Sequence, residues 1–238
     1  MPAMSGGKSE TAPPDVWANR IELIATIVMA AAAILTAWAA FQSAKWSGIQ
    51  AIEFSKASAS RIESTRLDTR AGQLTTIDVS VFLAWLEAVN DEVRNGEIVL
   101  EPGTGYQPTP GTLSAFQYER MRDEFRPAFD AWIDSRPLTN PDAPPTPFAL
   151  PEYIVADSVA ADAALDQAGG HTDAALVANQ NSDNHVLVVV ALALAIFFGG
   201  VSSKLDVTRN RLIAISMAVV IFTGASLTLA FLPKVNPF

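Results

Sequence analysis

"IELIATIVMAAAAILTAWAAFQ" (residues 21–42) is followed without a break by "SAKWSGIQAIEFSKASASRIEST" (residues 43–65). The first stretch has one ionised side chain, Glu22, and is long enough to cross about 30 Å of hydrocarbon as a helix. The second stretch contains no proline and a single glycine, so nothing in it ends a helix. We therefore predict a transmembrane helix that continues beyond the membrane.

Two further apolar runs, residues 186–203 and 212–232, contain no ionised side chain. Buried helices of soluble proteins normally keep a polar face, and these runs have almost none. The fold class that this pattern predicts is mostly α: an integral membrane protein with three transmembrane helices. The first run also contains the A-x-A pattern of a cleavable signal peptide, Ala37 to Ala39, but it exceeds the usual signal core. We therefore expect it to stay as an anchor.

The predicted organisation has seven segments. They are a disordered tail (1–14), transmembrane helix 1 (15–42), an acidic, helical, coiled-coil-like soluble domain (43–185) with a proline-rich connector (137–151), transmembrane helix 2 (186–203), a basic cytoplasmic loop (204–211), transmembrane helix 3 (212–232) and a short tail (233–238).

The charges predict the orientation. The short loop between the second and third spans carries Lys204, Arg209 and Arg211 against Asp206, and such loops stay in the cytoplasm. The N-terminus is then cytoplasmic and residues 43–185 are extracytoplasmic, although the charges flanking the first span do not decide its direction by themselves.

Residues 43–185 hold 10 basic and 21 acidic side chains, which argues against nucleic acid as a partner. The chain has no cysteine, which is compatible with the outer face of a bacterial inner membrane.

The continuing first helix has a stripe of mostly small residues at steps of four and three. Such a stripe lets another helix backbone come close. We predict that it packs against a second helix, either of the same chain or of a neighbouring subunit; an ordinary surface helix is the alternative. The predicted helix-packing stripe is Ala37, Phe41, Ala44, Gly48, Ala51, Ser55, Ser58 and Ile62, continuing to Thr65.

Beyond the stripe, apolar residues at helical spacing predict a second amphipathic stretch over 74–89. Gly72 is its expected weak point and Asn95-Gly96 its expected end. Residues 97–112 predict a loop with a short strand at 98–100. A further helix is expected over 113–135, either kinked at Pro127 or divided there into two short helices.

Six prolines in fifteen residues mark the segment "RPLTNPDAPPTPFALPEY" (136–153). It is either a P-x-x-P ligand for a partner protein or, as we favour, a fixed connector with Phe148 and Tyr153 packed against the helices. The helix that follows has its own small surface and is expected to run antiparallel to the first helix. That surface consists of Ala160, Ala163, Ala164, Ala174 and Ala178.

No catalytic residue, metal ligand or cofactor site is predicted. The two histidines, His171 and His185, lack the spacing of a metal site, and we expect His185 to be a polar residue at the membrane boundary. The acidic pairs at 91–92 and 123–124 are typical of solvated helix faces. An enzyme acting at the outer membrane face would need a carboxylate cluster that sequence spacing does not reveal.

Three stretches resemble a family of uncharacterised bacterial three-span membrane proteins: "AFQSAKWSGIQA" (40–51), "RPAFDAWIDSRPLTNPDAPPTPFALPEY" (126–153) and "ANQNSDNHVLVVV" (178–190). The resemblance implies the three-span topology and no activity.

We therefore predict a non-enzymatic, self-associating structural or scaffolding protein of the bacterial inner membrane. Its partners are the lipid bilayer and another copy or another membrane protein. The alternative is a subunit of an oligomeric pore or transport complex. Such a pore would be lined by the hydroxyl side chains of the spans, Thr26, Thr36, Ser216, Thr223, Ser226 and Thr228.

Overall fold

A computed structural model describes residues 16–99, 106–137 and 139–236, with side chains from Arg20 onward. The helices are α1 (Val16–Asn95), α2 (Leu113–Glu119), α3 (Arg126–Asp134), α4 (Ala156–Ser202) and α5 (Thr208–Phe231), with a short 3₁₀ helix at Pro147–Ala149. Three of them, α1, α4 and α5, are long and apolar enough to cross a membrane. The predicted mostly helical fold with three apolar spans is confirmed.

Helix α1 continues without a break through Gly72, the expected weak point. One glycine costs a helix interior only about 1 kcal/mol, which the neighbouring turns and packing can offset. The predicted end at Asn95-Gly96 is confirmed. The amides of Gly96 and Glu97 donate to the carbonyls of Val93 and Glu92, and Gly96 has φ 73°. This pattern is a Schellman cap, which favours glycine because φ is positive.

The expected helix over 113–135 consists of two short helices, α2 and α3, which confirms the second of the two alternatives. Pro127 lies in the first turn of α3, where its missing N–H has no helical partner to lose. The Thr112 hydroxyl accepts a hydrogen bond from the Ala115 amide and so caps α2. The strand expected at 98–100 is not formed at Ile98 and Val99; Leu100 lies outside the described residues.

The chain divides into two compact units. Unit 1 comprises Met1–Phe54 and Asp173–Phe238, and unit 2 comprises Ser55–Thr172. The tail at 1–14 lies outside the described residues. The boundaries predicted for the spans and the soluble domain stay predictions.

In unit 1, helices α1, α4 and α5 pack through small residues. Ala32 and Ala39 of α1 are fully buried together with Leu192 of α4 and Leu229 of α5. A Cβ added to Gly199 of α4 would lie 2.9 Å from Met29 Cγ, so glycine permits this close approach. The pairs Met29–Gly199 and Ser43–Ser182 show that the two segments run antiparallel, as predicted.

In unit 2, the core is aromatic. Trp85 and Phe129 meet edge to face with ring centroids 4.7 Å apart, a favourable geometry for aromatic pairs. Phe148 stacks on Phe125 at 5.1 Å, and Tyr153 meets Phe148 at 5.0 Å. Both side chains are therefore packed as predicted for a fixed connector. The buried members of this core are Phe82, Trp85, Val89, Met121, Phe125, Phe129 and Trp132.

Also in unit 2, the segments of α1 and α4 run antiparallel. Arg61 donates to the Thr172 hydroxyl at 2.8 Å, and Arg70 Nε lies 3.0 Å from Asp157 Oδ2. Helix α4 continues through the Gly169-Gly170 pair. Of the five alanines predicted to form its small surface, Ala164 and Ala178 are buried in their respective units, and the other three are exposed.

Candidate functional site

The predicted helix-packing stripe is exposed along its whole length. In unit 1 its residues are Ala37, Phe41, Ala44, Gly48 and Ala51; in unit 2 they are Ser55, Ser58, Ile62 and Thr65. The prediction that they pack against a second helix of the same chain is wrong. Packing against a neighbouring subunit stays a prediction.

A different face of α1 packs within the chain. In unit 1 it carries Ala25, Ala32 and Ala39, which are at most 1% exposed, and in unit 2 it carries the buried Ala57 and Ala71. Alanines lie on several faces of α1, so their spacing alone does not distinguish the covered face from the open one. We call the exposed set, Ala37 to Thr65, the outward stripe.

The unit 1 part of the outward stripe is open at its centre. A Cβ at Gly48 would have no neighbouring heavy atom within 4 Å. Next to this opening, the rings of Trp38 and Phe41 lie 5.8 Å apart, and Lys45 Nζ lies 5.9 Å from the Phe41 centroid. The surface therefore has a flat glycine and alanine centre with an aromatic and cationic edge, a shape that a second helix can approach closely.

Ser58, Ile62 and Thr65 of the outward stripe line a shallow, open groove of about 640 Å³ on the surface of α1 in unit 2. Arg61, Arg66 and Arg70 also line it. We call this the arginine groove.

Each arginine of the groove has a partner within unit 2. Arg61 bonds to Thr172 and Arg70 pairs with Asp157. Arg66 donates two hydrogen bonds to Glu63, at 2.6 and 2.9 Å. These bonds hold the pKa of Glu63 below its usual value and raise that of Arg66.

Sequence reasoning missed a polar cluster in unit 1. The Ser182 hydroxyl lies 2.9 Å from the hydroxyls of both Ser43 and Ser47. The Gln42 side chain is fully buried; its Nε2 donates to the Val235 carbonyl and its Oε1 accepts from the Val235 amide. Glutamine at the end of the apolar run is the signal that could have indicated this contact.

His185, expected at the membrane boundary, is fully buried. Its Nδ1 lies 2.7 Å from the Asn181 carbonyl oxygen, one helical turn earlier. Its Nε2 has no hydrogen-bond partner among the described residues. Within the same described part of the chain, no group of three or more histidine, aspartate or glutamate side chains could hold a metal ion.

Among the described residues of unit 2, two carboxylates are buried. Asp78, 1% exposed, pairs with Arg122 and also accepts from the Tyr153 hydroxyl at 2.9 Å. Glu92, predicted to be solvated, is instead 5% exposed and accepts hydrogen bonds from the Ser114 amide and hydroxyl. The Ser114 amide lies in the first turn of α2, where it has no partner within the helix, so Glu92 stabilises this turn.

The other acidic residues of the predicted solvated pairs, Asp91, Asp123 and Glu124, are exposed as expected. The sequence did not show that Asp78 and Glu92 are buried while these three residues are exposed. The partners of Asp78 and Glu92, Arg122 and Ser114, lie 44 and 22 residues away in sequence.

Of the predicted topology determinants, Lys204 lies in the connection between α4 and α5, and Arg209 and Arg211 lie in the first turn of α5. Lys204 and Arg209 are exposed, and Arg211 is half-buried in the first turn of α5. Of the hydroxyl residues that a pore would need, four donate to carbonyls of their own helix: Thr26, Thr36, Thr223 and Thr228.

No family model, curated protein or solved structure matches this chain. The resemblance to an uncharacterised bacterial family therefore stays a prediction.

Proposed function

We propose that this protein is a non-enzymatic, self-associating structural or scaffolding component of the bacterial inner membrane. The observation that carries the proposal is the exposure of the outward stripe in unit 1. A second helix packs closely on a flat row of alanine and glycine. The partner is another copy of the chain or another membrane protein.

Exposed apolar side chains near the stripe support this proposal. Ile52 is 57% exposed and Phe54 is 39% exposed, ten or more residues beyond the predicted end of the first span. In the same unit, Leu176 and Val177 are also exposed, before the predicted start of the second span. Apolar surface outside the hydrocarbon is costly unless another protein covers it.

The buried carboxylates support a non-enzymatic role. Asp78 is held by Arg122 and Tyr153, and Glu92 caps α2. Both are committed to structural partners in the interior of unit 2. We further propose that residues 43–185 lie outside the cytoplasm, because Lys204 lies in the short connection between α4 and α5 and Arg209 lies in the first turn of α5.

Co-isolation of two differently tagged full-length copies from one membrane tests self-association. We expect the unmodified copies to co-isolate and Gly48→Leu to reduce the recovered partner severalfold, because the added side chain fills the flat centre of the stripe. Gly224→Leu in α5 is the matched control, since a Cβ there also meets nothing within 4 Å. Unmodified copies that never co-isolate, or a Gly48→Leu chain that behaves like the Gly224→Leu chain, would contradict the proposal.

A further inference from the structure

The arginine groove differs in charge from the unit that carries it. Residues 55–172 contain 9 basic and 18 acidic side chains, yet the groove is framed by three arginines. Glu63 and Asp157 pair with two of them, and neither lines the groove. Arginine has five N–H donors, and these partners engage only one or two of them in each residue, so the groove can still bind an occupant that carries carboxylates.

Unit 2 has a surface of the matching charge on α4. Asp162 and Asp166 are exposed and make no ion pair among the described residues. Because Ala161, Ala164 and Ala168 are buried, helical geometry places both aspartates on the far side of α4 from its packed face. We call Asp162 and Asp166 the α4 acidic face.

The arginine groove and the α4 acidic face lie at about the same level along the antiparallel helices of unit 2. The contacts of Arg70 with Asp157 and of Arg61 with Thr172 define the antiparallel register of α1 and α4 in unit 2. Counting along each helix at 1.5 Å per residue places Arg66 and Arg61 within about one turn of Asp162 and Asp166. Copies in one bilayer share their direction, so the groove of one copy meets the acidic face of another at the same height.

A symmetric contact between two α1 helices is disfavoured by the same arginines. In a parallel pairing through the outward stripe, Arg61 and Arg66 flank the seam and approach the corresponding residues of the second copy. Four guanidinium groups would then lie close together, and like charges at these positions destabilise a helix pair.

We infer that the arginine groove binds the α4 acidic face of a second copy of this chain, so that copies associate head to tail. This inference rests on the proposed self-association and names the surfaces that meet in unit 2. Contacts of this kind, between two different surfaces of identical copies, generate rings or open rows.

Charge reversal in the full-length protein tests the inference. Arg66→Asp and Asp162→Arg should each weaken self-association about fivefold, measured by energy transfer between two labelled populations in detergent. The double variant carries both changes, so opposite charges meet again and association should return to within about twofold of the unmodified chain. Arg94→Asp, an exposed arginine outside the groove, is the matched control and should have no effect.

Directed crosslinking provides a second measurement that does not depend on charge. The chain has no cysteine, so Ser58→Cys can be placed in one copy and Gly170→Cys in another, at about the same height. A short bis-maleimide should join the two kinds of copy and should not join two Ser58→Cys copies.

The outcomes distinguish this inference from the proposed self-association on which it rests. If the unmodified chain does not self-associate, the proposed function fails and the inference fails with it. If it associates but the single reversals change nothing, or the double variant stays as weak as the singles, the head-to-tail contact is wrong. Crosslinks formed only between two Ser58→Cys copies would overturn it in favour of a symmetric contact.

Discussion

Both carboxylate oxygens of Asp78 accept hydrogen bonds from Arg122, at 2.9 Å from Nε and 2.8 Å from Nη2. These bonds raise the pKa of Arg122. The pair joins α1 to the segment between α2 and α3, and Tyr153 adds a third element from beyond the connector. Because Asp78 is buried, these partners offset the cost of removing its carboxylate from water.

We expect Arg122→Ala to destabilise unit 2 by about 3 kcal/mol, because it leaves a buried carboxylate without its counter-ion. Chemical denaturation followed by tryptophan fluorescence measures this, since Trp85 and Trp132 lie in the core of the unit. Arg120→Ala is the control: Arg120 is exposed and stacks over Phe116, so its loss should cost less than about 1 kcal/mol. Equal losses for the two variants would contradict the role of the Asp78–Arg122 pair.

The three tyrosines of the chain, Tyr106, Tyr118 and Tyr153, pack against the aromatic core of unit 2. Burial raises the pKa of each above its ordinary value near 10. The pKa of each tyrosine is therefore higher in the folded chain than in the unfolded chain. Its contribution to the free energy of unfolding is complete below the unfolded pKa and is lost as the pH rises through the folded pKa. We expect tyrosinate absorbance to develop only above the ordinary range and together with unfolding. Titration of the urea-unfolded chain is the control. If the tyrosines of the folded chain ionise at the same pH midpoint as those of the unfolded chain, burial does not raise their pKa.

We expect Gly199→Leu to destabilise unit 1 by about 1–3 kcal/mol, since its Cβ would lie 2.9 Å from Met29 Cγ and the larger side chain has no space. Gly199→Ala should cost less, because the methionine side chain is flexible and can move. Adding Met29→Ala to Gly199→Leu should restore part of the loss in thermal stability measured in detergent. If Gly224→Leu, in open space, is equally harmful, close approach at Gly199 is not the cause.

Gln42→Leu removes both side-chain hydrogen bonds to the Val235 backbone. At about 1 kcal/mol for each bond, we expect amide exchange at Val235 to accelerate at least about tenfold. Hydrogen–deuterium exchange of the C-terminal peptide measures this effect. Gln50→Leu, a half-buried glutamine elsewhere on the unit 1 part of α1, is the control. Unchanged exchange in the Gln42→Leu chain would mean that this side chain does not hold the segment.

The proposed orientation predicts opposite labelling at two exposed positions. A cysteine at Gln107 should react with a membrane-impermeant maleimide on intact cells, and one at Arg209 should react only after permeabilisation. The reverse pattern would invert the topology. The natural absence of cysteine keeps the background low.

Several features followed from local sequence because local chemistry determines them. Glycine after Asn95 permits the positive φ of a helix cap, and Pro127 is accepted only in the first turn of α3. The aromatic residues of the connector were predicted to be packed because a segment so rich in proline has few backbone hydrogen bonds to hold it.

The amino-acid sequence alone determined that the chain is helical and has three apolar segments of membrane-spanning length, since apolar length is a property of each segment by itself. Only the tertiary structure decided which face of α1 is covered. Burying one alanine instead of another changes the free energy little, so the outward stripe with Gly48 and the covered face with Ala32 look alike in sequence. The burial of Asp78 was likewise decided by Arg122, because a carboxylate enters the interior only where a distant part of the chain supplies its counter-charge.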